Sequence, residues 1–243
     1  MIKDMLRKIA GACAAATLVT AMACAPADAP VDARANAVDT ATATADSTGI
    51  ILFLGTSLTA GYGIGAEFAY PALIQQKLDS LDYPLRVVNA GLSGETSAGG
   101  LRRIDWSLQQ PIAVLVLELG ANDGLRGLPI SSLRKNLREI IERTRKRYPD
   151  AAIVIAGMEA PPNLGGPYTI EFRNVFRDIA EEFDAALIPF LLEGVAAVPE
   201  LNQDDGIHPN IEGQQRVAAN VWKVLHPVIQ RQLANSPAPA ATR

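Results

Sequence analysis

The residues best suited to do chemistry in this chain are a late histidine, an aspartate just before it and a distant serine. His208, one of two histidines in 243 residues, follows Asp205 by three positions, and Ser57 comes directly after the apolar run 50–54 and a Gly-Thr pair. A serine hydroxyl is a weak nucleophile unless an imidazole takes its proton and a carboxylate orients that imidazole. These residues therefore predict nucleophilic acyl transfer, with Asp204 as a substitute partner for the imidazole.

Two further segments contain candidate hydrogen-bond donors. Asn122 follows the apolar run 112–117, and its side-chain amide can donate to a developing oxyanion. Gly91 lies in the segment 89–96, where the absence of a side chain lets a backbone N–H approach a substrate closely. Both segments are also ordinary turn sequences, so neither identifies a site alone. The second histidine, His226, lies in a late helical segment, and we interpret it as structural or exposed.

The strands predicted around these residues bring them to one edge of a sheet. Continuous apolar runs, typical of parallel strands buried on both faces, occur at 50–54, 85–88, 112–117, 151–156 and 185–188. Because helical stripes alternate with them, we predict a three-layer α/β/α sandwich of the flavodoxin-like type with a five-stranded parallel sheet. Such sheets bind ligands at the carboxyl ends of their strands. Ser57, Gly91 and Asn122 follow the first three strands.

The first 24 residues have the character of an export signal. Lys3, Arg7 and Lys8 make a basic start, and an apolar, alanine-rich stretch follows them. The segment 21–23, Ala-Met-Ala, suits an ordinary signal peptidase, whereas a small residue before Cys24 also resembles a lipobox, in which that cysteine is lipidated. We favour the lipoprotein interpretation. It predicts a protein of the periplasm or one anchored to the outer membrane.

The remaining chain divides by composition into a linker, one domain and a tail. Residues 25–48 are Ala, Thr, Asp and Pro with almost no large apolar side chain, which predicts a disordered linker. Residues 234–243 have the same character and are predicted to form a disordered tail. The domain therefore spans 49–233, long enough to bury a substantial core.

Cysteine content and charge exclude several classes of function. Both cysteines, Cys13 and Cys24, fall in the predicted signal, so the domain has no disulfide, thiolate metal site or cysteine nucleophile. The net charge is −4, and it becomes −6 once residues 1–24, with three basic residues and one acidic residue, are removed. Such a surface disfavours nucleic acid as a partner. No ligand cluster for a metal or cofactor is visible in the sequence.

Together, Ser57, Gly91, Asn122 and the Asp205–His208 pair resemble the four sequence blocks of the SGNH (GDSL-type) hydrolases, in order, over residues 51–228. The runs 117–127 and 203–210 resemble in particular the bacterial thioesterase I, lysophospholipase L1 and arylesterase branch of that family. The first block usually reads Gly-Asp-Ser-Leu, and here a threonine, residue 56, replaces the aspartate. That change removes a charged acceptor and leaves a hydroxyl, which can hydrogen-bond locally but more weakly.

The resemblance implies hydrolysis of carboxylic esters and thioesters through an acyl-enzyme. Ser57 would attack the acyl carbonyl, His208 would transfer the proton, and Asp205 would orient the imidazole. The backbone N–H groups of Ser57 and Gly91 and the side chain of Asn122 would hold the oxyanion. No metal or cofactor is needed for this reaction.

The resemblance also implies where and what the protein binds. Asp123 and Leu128, in the loop after the third strand, and Met158, after the fourth, are expected to contact the acyl chain. The substrate would be a small ester or thioester, such as an aryl ester, an acyl thioester or a lysophospholipid, and we expect a monomer with a possible membrane tether through Cys24.

Two alternatives stay open. One is a carbohydrate O-deacetylase on the same fold. The other is a lipoprotein that binds acylated ligands without hydrolysing them, an interpretation that only the threonine at position 56 favours.

Overall fold

A computed structural model describes residues 49–235 of the chain. Within this range five parallel strands form one sheet in the spatial order β2-β1-β3-β4-β5. The strands are β1 (Gly49–Gly55), β2 (Leu85–Gly91), β3 (Ile112–Glu118), β4 (Ala152–Ala156) and β5 (Ala186–Ile188). The predicted α/β fold with a five-stranded parallel sheet is confirmed.

The helices that connect the strands lie in two layers. They are α1 (Ser57–Ala60), α2 (Tyr70–Ser80), α3 (Ser97–Ser107), α4 (Ala121–Leu125), α5 (Ile130–Arg147), α6 (Gly166–Glu182) and α7 (Ile211–Asn235), with 3-10 turns at Ala66–Phe68, Pro162–Leu164 and Pro199–Leu201. Helix α2 packs on α7, α3 packs on α5, and α5 packs on α6. Helix α7 continues to Asn235, two residues beyond the predicted end of the domain at 233.

The core lies in the central strands and the helix faces that cover them. Four consecutive residues of β1, Ile51 to Leu54, and four of β3, Val114 to Leu117, are essentially fully buried. A strand flanked by two others and covered on both faces must be apolar at every position, which explains the continuous runs in the sequence. The charged face of α5 is solvated and forms surface ion pairs, such as Arg134 with Asp178. Pairs at such exposure contribute little stability.

The register of the sheet brings three chain segments together. Gly55, at the carboxyl end of β1, pairs with Gly91 on one side and with Glu118 on the other. Because β1 lies between β2 and β3, the residue that follows its end is flanked by the loops that leave both neighbours. Ser57 is two residues beyond this point.

Several predicted segments lie outside the described residues: the export signal 1–24, the linker 25–48 and positions 236–243 of the tail. Between residues 49 and 235 no helix has both the length and the apolar character needed to cross a membrane.

Candidate active site

Ser57 is exposed by a sharp change of direction at the end of β1. Thr56 is still extended (φ −105°, ψ −150°), and Ser57 is the first residue of a helix of only four residues. Gly61 ends that helix in the left-handed region at φ 73°, where its N–H donates to the Ser57 carbonyl. Gly55 has no room for a side chain, because a Cβ there would lie 2.0 Å from the hydroxyl oxygen of Thr59. The turn therefore packs tightly beneath the serine.

Ser57, His208 and Asp205 form a continuous hydrogen-bonded series. The serine Oγ lies 2.9 Å from His208 Nε2 across 151 residues of sequence, and His208 Nδ1 lies 2.7 Å from Asp205 Oδ2. An ionised carboxylate can only accept, so Nδ1 carries the proton toward Asp205 and Nε2 is free to accept from the serine hydroxyl. Asp205, and not the alternative Asp204, is the partner of the imidazole.

Asp205 also organises the loop that carries the histidine. Its Oδ1 accepts the backbone N–H groups of Ile207 at 2.9 Å and His208 at 3.0 Å. The bond from the His208 N–H, helped by the imidazole and the Ile207 N–H, lowers the pKa of Asp205 from 3.8 to about 2. The carboxylate therefore stays ionised in mildly acidic solution.

Gln203 joins the histidine loop to the loop after Ser57, a link that was not predicted from the sequence. Its Nε2 donates to the carbonyl oxygens of Tyr62 at 2.7 Å and Pro209 at 3.0 Å, and its backbone N–H donates to the His208 carbonyl at 2.8 Å. The Tyr62 ring lies 4.7 Å from the His208 ring, centroid to centroid. The position of Gln203 in the 203–210 run was the only sequence signal for this role.

A cavity of about 330 Å³ opens beside the serine hydroxyl. Its lining residues are Thr56, Ser57, Leu58, Tyr62, Ser93, Gly94, Ala121, Asn122, Leu125, Met158, Glu159, Leu192, Ile207 and His208. Of the residues predicted to contact an acyl chain, Met158 lies in this lining, whereas Asp123 and Leu128 do not. Among residues 49–235, no group of three or more His, Cys, Asp or Glu side chains could hold a metal ion.

The structure does not bring Gly91 to the cavity, and this expectation is corrected. The Gly91 N–H donates to the Asn89 side-chain oxygen at 2.9 Å, and a Cβ on Gly91 would meet the backbone nitrogen of Ala60 at 2.3 Å. The N–H is therefore already satisfied, and the glycine is needed for close packing against α1. Gly94, at φ 76°, lines the cavity instead.

Asn122 lies at the cavity, as predicted, and a local hydrogen bond fixes its side chain. Its Nδ2 donates to the backbone carbonyl of Glu95 at 3.0 Å, which leaves the second amide hydrogen free of that bond. The Glu95 side chain is in turn held by Arg103, whose Nε lies 2.8 and 2.9 Å from its two oxygens. The side-chain amide of Asn122 is thus tied to the loop that contains Gly94.

Asp123 and Leu128 do not line the cavity, contrary to the expectation from the sequence. The Asp123 side chain is only 2% exposed, and both its oxygens accept hydrogen bonds from Ser97. The Leu128 carbonyl accepts from the Tyr168 hydroxyl at 2.8 Å, outside the cavity. Leu125 occupies the place in the lining that was expected for Leu128.

Thr56, the departure from the expected first block, is buried and fully engaged. Its backbone N–H donates to Glu118 Oε2 at 2.8 Å, and its hydroxyl donates to Glu118 Oε1 at 3.0 Å. The charged acceptor expected to be lost beside the serine is therefore present as Glu118, a residue without a predicted role. A glutamate at the end of an otherwise apolar strand was the available signal.

His226, the second histidine, takes part in a separate contact. Its Nε2 lies 2.9 Å from the Tyr83 hydroxyl, and its ring stacks on Trp222 with centroids 4.7 Å apart. It therefore links α7 to the loop that follows α2, as a structural residue.

Known proteins are similar to this chain over 74% of its length. Residues 53–216 match the GDSL-like lipase/acylhydrolase family. The chain is 40% identical over 180 residues to "Esterase TesA" of Pseudomonas aeruginosa, covering 74% of this chain and 89% of that one. It is also 40% identical over 181 residues to "Thioesterase 1/protease 1/lysophospholipase L1" of Escherichia coli, covering 74% and 84%.

Solved structures give the same result. The crystal structure of TesA superposes with a TM-score of 0.70 at 40% identity, covering 74% of this chain and 99% of that one. AlinE4, described as an SGNH-hydrolase family esterase, gives a TM-score of 0.61 at 40% identity, covering 74% and 95%. The chain therefore belongs to the GDSL-like lipase/acylhydrolase family.

Proposed function

We propose that this chain is a serine esterase that hydrolyses carboxylic esters and thioesters with apolar acyl chains. The observation that carries the proposal is the hydrogen-bonded series from Ser57 Oγ through the His208 imidazole to Asp205, with separations of 2.9 and 2.7 Å. Those separations suit proton transfer from the hydroxyl to the ring. The relatives named as esterase and thioesterase support the same reaction class.

The reaction has two halves with one covalent intermediate. Ser57 Oγ attacks the acyl carbonyl carbon while His208 Nε2 takes the hydroxyl proton, and the Asp205 carboxylate stabilises the resulting imidazolium. When the tetrahedral intermediate collapses, the bond to the leaving oxygen or sulfur breaks and Nε2 returns the proton to it. Water then attacks the acyl-enzyme with the same proton transfers, and the carboxylic acid and free Ser57 are released.

The oxyanion is held by the N–H groups of Ser57 and Gly94 and by the Asn122 amide, with Gly94 replacing Gly91 in this role. Gly94 and Asn122 both line the cavity beside the serine. Neither the Ser57 N–H nor the Gly94 N–H donates to another group within residues 49–235. Loss of one such donor typically costs about 3–4 kcal/mol of transition-state stabilisation.

The composition of the cavity favours an acyl chain over an acetylated sugar. Apolar side chains form much of the lining, among them Leu58, Leu125, Met158, Leu192 and Ile207. Burial of each methylene of an acyl chain against such a surface contributes about 0.8 kcal/mol. The non-catalytic alternative loses its one argument, because Thr56 is engaged with Glu118 and does not disturb the Ser57–His208 contact.

The test is a panel of hydrolysis rates combined with covalent labelling. We expect turnover of aryl esters, acyl thioesters and lysophospholipids, and fluorophosphonate labelling that is lost in Ser57→Ala and strongly slowed in His208→Ala. Activity on acetylated sugars alone would identify the O-deacetylase instead. Tight binding of acylated ligands with neither turnover nor labelling would identify the non-catalytic binder.

We also propose that the protein is exported and tethered through a lipidated Cys24, a residue outside the described range. The basic and apolar composition of residues 1–24 supports this proposal. Metabolic labelling with a fatty acid should mark the wild-type chain and leave Cys24→Ala unmarked. Release of an unlabelled wild-type chain into the soluble periplasm would favour ordinary signal cleavage.

A further inference from the structure

A buried carboxylate that the proposed mechanism does not use lies directly beneath the serine turn. Glu118, the last residue of β3, has 0% exposure. No lysine or arginine among residues 49–235 forms an ion pair with it. A buried charge without a cation needs hydrogen-bond donors to offset its loss of hydration.

The donors all come from the two threonines on either side of the serine. Thr56 gives its backbone N–H to Oε2 at 2.8 Å and its hydroxyl to Oε1 at 3.0 Å. Thr59 gives its hydroxyl to Oε2 at 2.8 Å. When Glu118 is ionised, that proton is committed to the carboxylate, so the Tyr70 hydroxyl, 2.6 Å from Thr59 Oγ1, donates to Thr59. The result is a directed chain of hydrogen bonds that ends on Glu118.

The backbone around Glu118 is shaped to let the carboxylate approach the turn. Gly55 pairs in register with Glu118, and a Cβ on Gly55 would lie 2.7 Å from Glu118 Oε2. The lack of a side chain at residue 55 is therefore what lets the glutamate reach both threonines. Residues 55 and 56 precede Ser57 in the chain, and residue 59 follows it. The carboxylate therefore contacts the turn on both sides of the serine without contacting the serine itself.

We propose that Glu118 is a positioning residue for the nucleophile: as the shared acceptor of Thr56 and Thr59, it fixes the turn that aims Ser57 Oγ at His208 and its N–H at the cavity. This inference rests on the proposed function, because the aim of Ser57 matters for rate only if it attacks the substrate. Thr56 is an active donor in this arrangement, since both its N–H and its hydroxyl hold the carboxylate.

The test compares variants that keep the hydrogen bonds with matched variants that remove them. Thr56→Val keeps the shape of the side chain but removes the hydroxyl, and Thr56→Ser restores the hydroxyl. Glu118→Ala removes the acceptor, whereas Glu118→Gln keeps an acceptor oxygen in nearly the same shape. The readouts are the rate of fluorophosphonate labelling of Ser57, and kcat and KM for an aryl ester, all measured where thermal unfolding shows the variant to be folded.

We expect Thr56→Val and Glu118→Ala to lower the labelling rate and kcat by about 10- to 100-fold, the range produced by misplacing a reacting atom by roughly 1 Å. KM should stay nearly unchanged, and Thr56→Ser and Glu118→Gln should recover most of the rate. Thr56→Val keeps the acceptor and the backbone bond, so it tests the proposal even if Glu118→Ala does not fold.

Labelling at the wild-type rate in folded Thr56→Val and Glu118→Ala would overturn the positioning role. So would a loss in Thr56→Ser as large as that in Thr56→Val, because the hydroxyl would then be irrelevant. Failure of the unaltered chain to hydrolyse any ester or to be labelled contradicts the proposed function instead, so the two failures can be told apart.

Discussion

The Asp123 carboxylate accepts both the backbone N–H and the hydroxyl of Ser97, at 2.8 and 2.6 Å, across 26 residues of sequence. Ser97 is the first residue of α3, so Asp123 satisfies a free N–H at the start of that helix. The Ser97 hydroxyl also accepts from Asn136 of α5 at 2.9 Å. Asp123 thereby ties α3 and α5 to the segment that carries Asn122.

This arrangement predicts that Asp123→Asn affects stability and not substrate binding. The amide keeps one acceptor oxygen but turns its NH₂ group toward a donor of Ser97, so a buried, charge-assisted bond is lost. We expect the free energy of unfolding to fall by about 2 kcal/mol, with KM for a short aryl ester unchanged. Ser97→Ala, which removes only the hydroxyl, should cost less.

Thermal unfolding and initial-rate measurements on the same samples check this prediction. A loss of about 2 kcal/mol corresponds to a Tm lowered by roughly 4–8 °C in a domain of this size. An unchanged Tm with a raised KM would return Asp123 to the substrate-binding role expected from the sequence.

The second prediction concerns Asp205, whose carboxylate orients the imidazole. Asp205→Asn preserves the shape of the side chain but favours the wrong tautomer of His208 and removes the charge that stabilises the imidazolium. In a serine triad this change lowers kcat by up to about 10⁴-fold. Because the Asp205 side chain is 39% exposed, solvent can partly replace it, so we expect a loss below that limit.

Single-turnover acylation rates for wild type, Asp205→Asn and Asp204→Asn check this assignment. Asp204 is the matched control, since it neighbours Asp205 in sequence but makes no contact with the imidazole. Equal losses in the two variants would show that general charge near the loop, and not orientation of the ring, is what matters.

The sequence was sufficient to predict the sheet, because buried parallel strands must be apolar throughout, and to place Ser57 at its edge. The meeting of Ser57 with His208 was predicted from the Asp205–His208 spacing and the family resemblance, since His208 follows no strand directly. The separation of 2.9 Å between the side chains of Ser57 and His208 agrees with that expectation. Their catalytic roles stay predictions until activity is measured.

The sequence could not predict which of several neighbouring residues lines the cavity, because that depends on displacements of a few ångströms. Gly91 is the last residue of β2, and Gly94 lies three residues later in the loop that follows. The Asn89 side chain accepts the Gly91 N–H, whereas Gly94 lines the cavity. Side chains three positions apart on a helix share a face, so Leu125 lies beside Asn122 at the cavity, as helical spacing would have indicated. Asp123 is adjacent to Asn122 in sequence, but its side chain is directed toward Ser97 and not toward the cavity.

The third prediction uses Leu125 and Leu128 as a matched pair to test this part of the cavity. Leu125 lines the cavity and is 52% exposed, so its truncation should leave folding nearly unaffected. We expect Leu125→Ala to lower kcat/KM for octanoyl esters relative to acetyl esters by about tenfold, corresponding to lost contact with roughly two methylenes. Leu128→Ala should leave that ratio unchanged.

A profile of kcat/KM against acyl length from acetyl to dodecanoyl, with one leaving group, measures the effect. If Leu128→Ala shifted the profile as much as Leu125→Ala, the acyl chain would follow a different path from the one the cavity indicates.

The fourth prediction is a pH dependence of stability that originates at Glu118. Burial raises the pKa of this carboxyl from 4.5 to about 7, against the opposing effect of the hydrogen bonds from Thr56 and Thr59. A raised pKa in the folded chain means that the stabilising contribution is present below about pH 4.5 and is lost as the pH rises through about 7. At about 1.4 kcal/mol for each pKa unit, the full loss is about 3 kcal/mol.

Glu118→Gln cannot ionise, so its stability should not follow this curve. We expect the free energy of unfolding of the variant, relative to wild type, to rise by about 3 kcal/mol from below about pH 4.5 to alkaline solution, measured by urea unfolding at a series of pH values. The control is Asp178→Asn at the surface, where the hydrogen bond from Arg134 lowers the pKa of the carboxyl and the sign is opposite. That variant should gain no stability as the pH rises. A pH-independent difference between Glu118→Gln and wild type would mean that the pKa of the carboxyl is the same in the folded and unfolded chains, and would contradict this prediction.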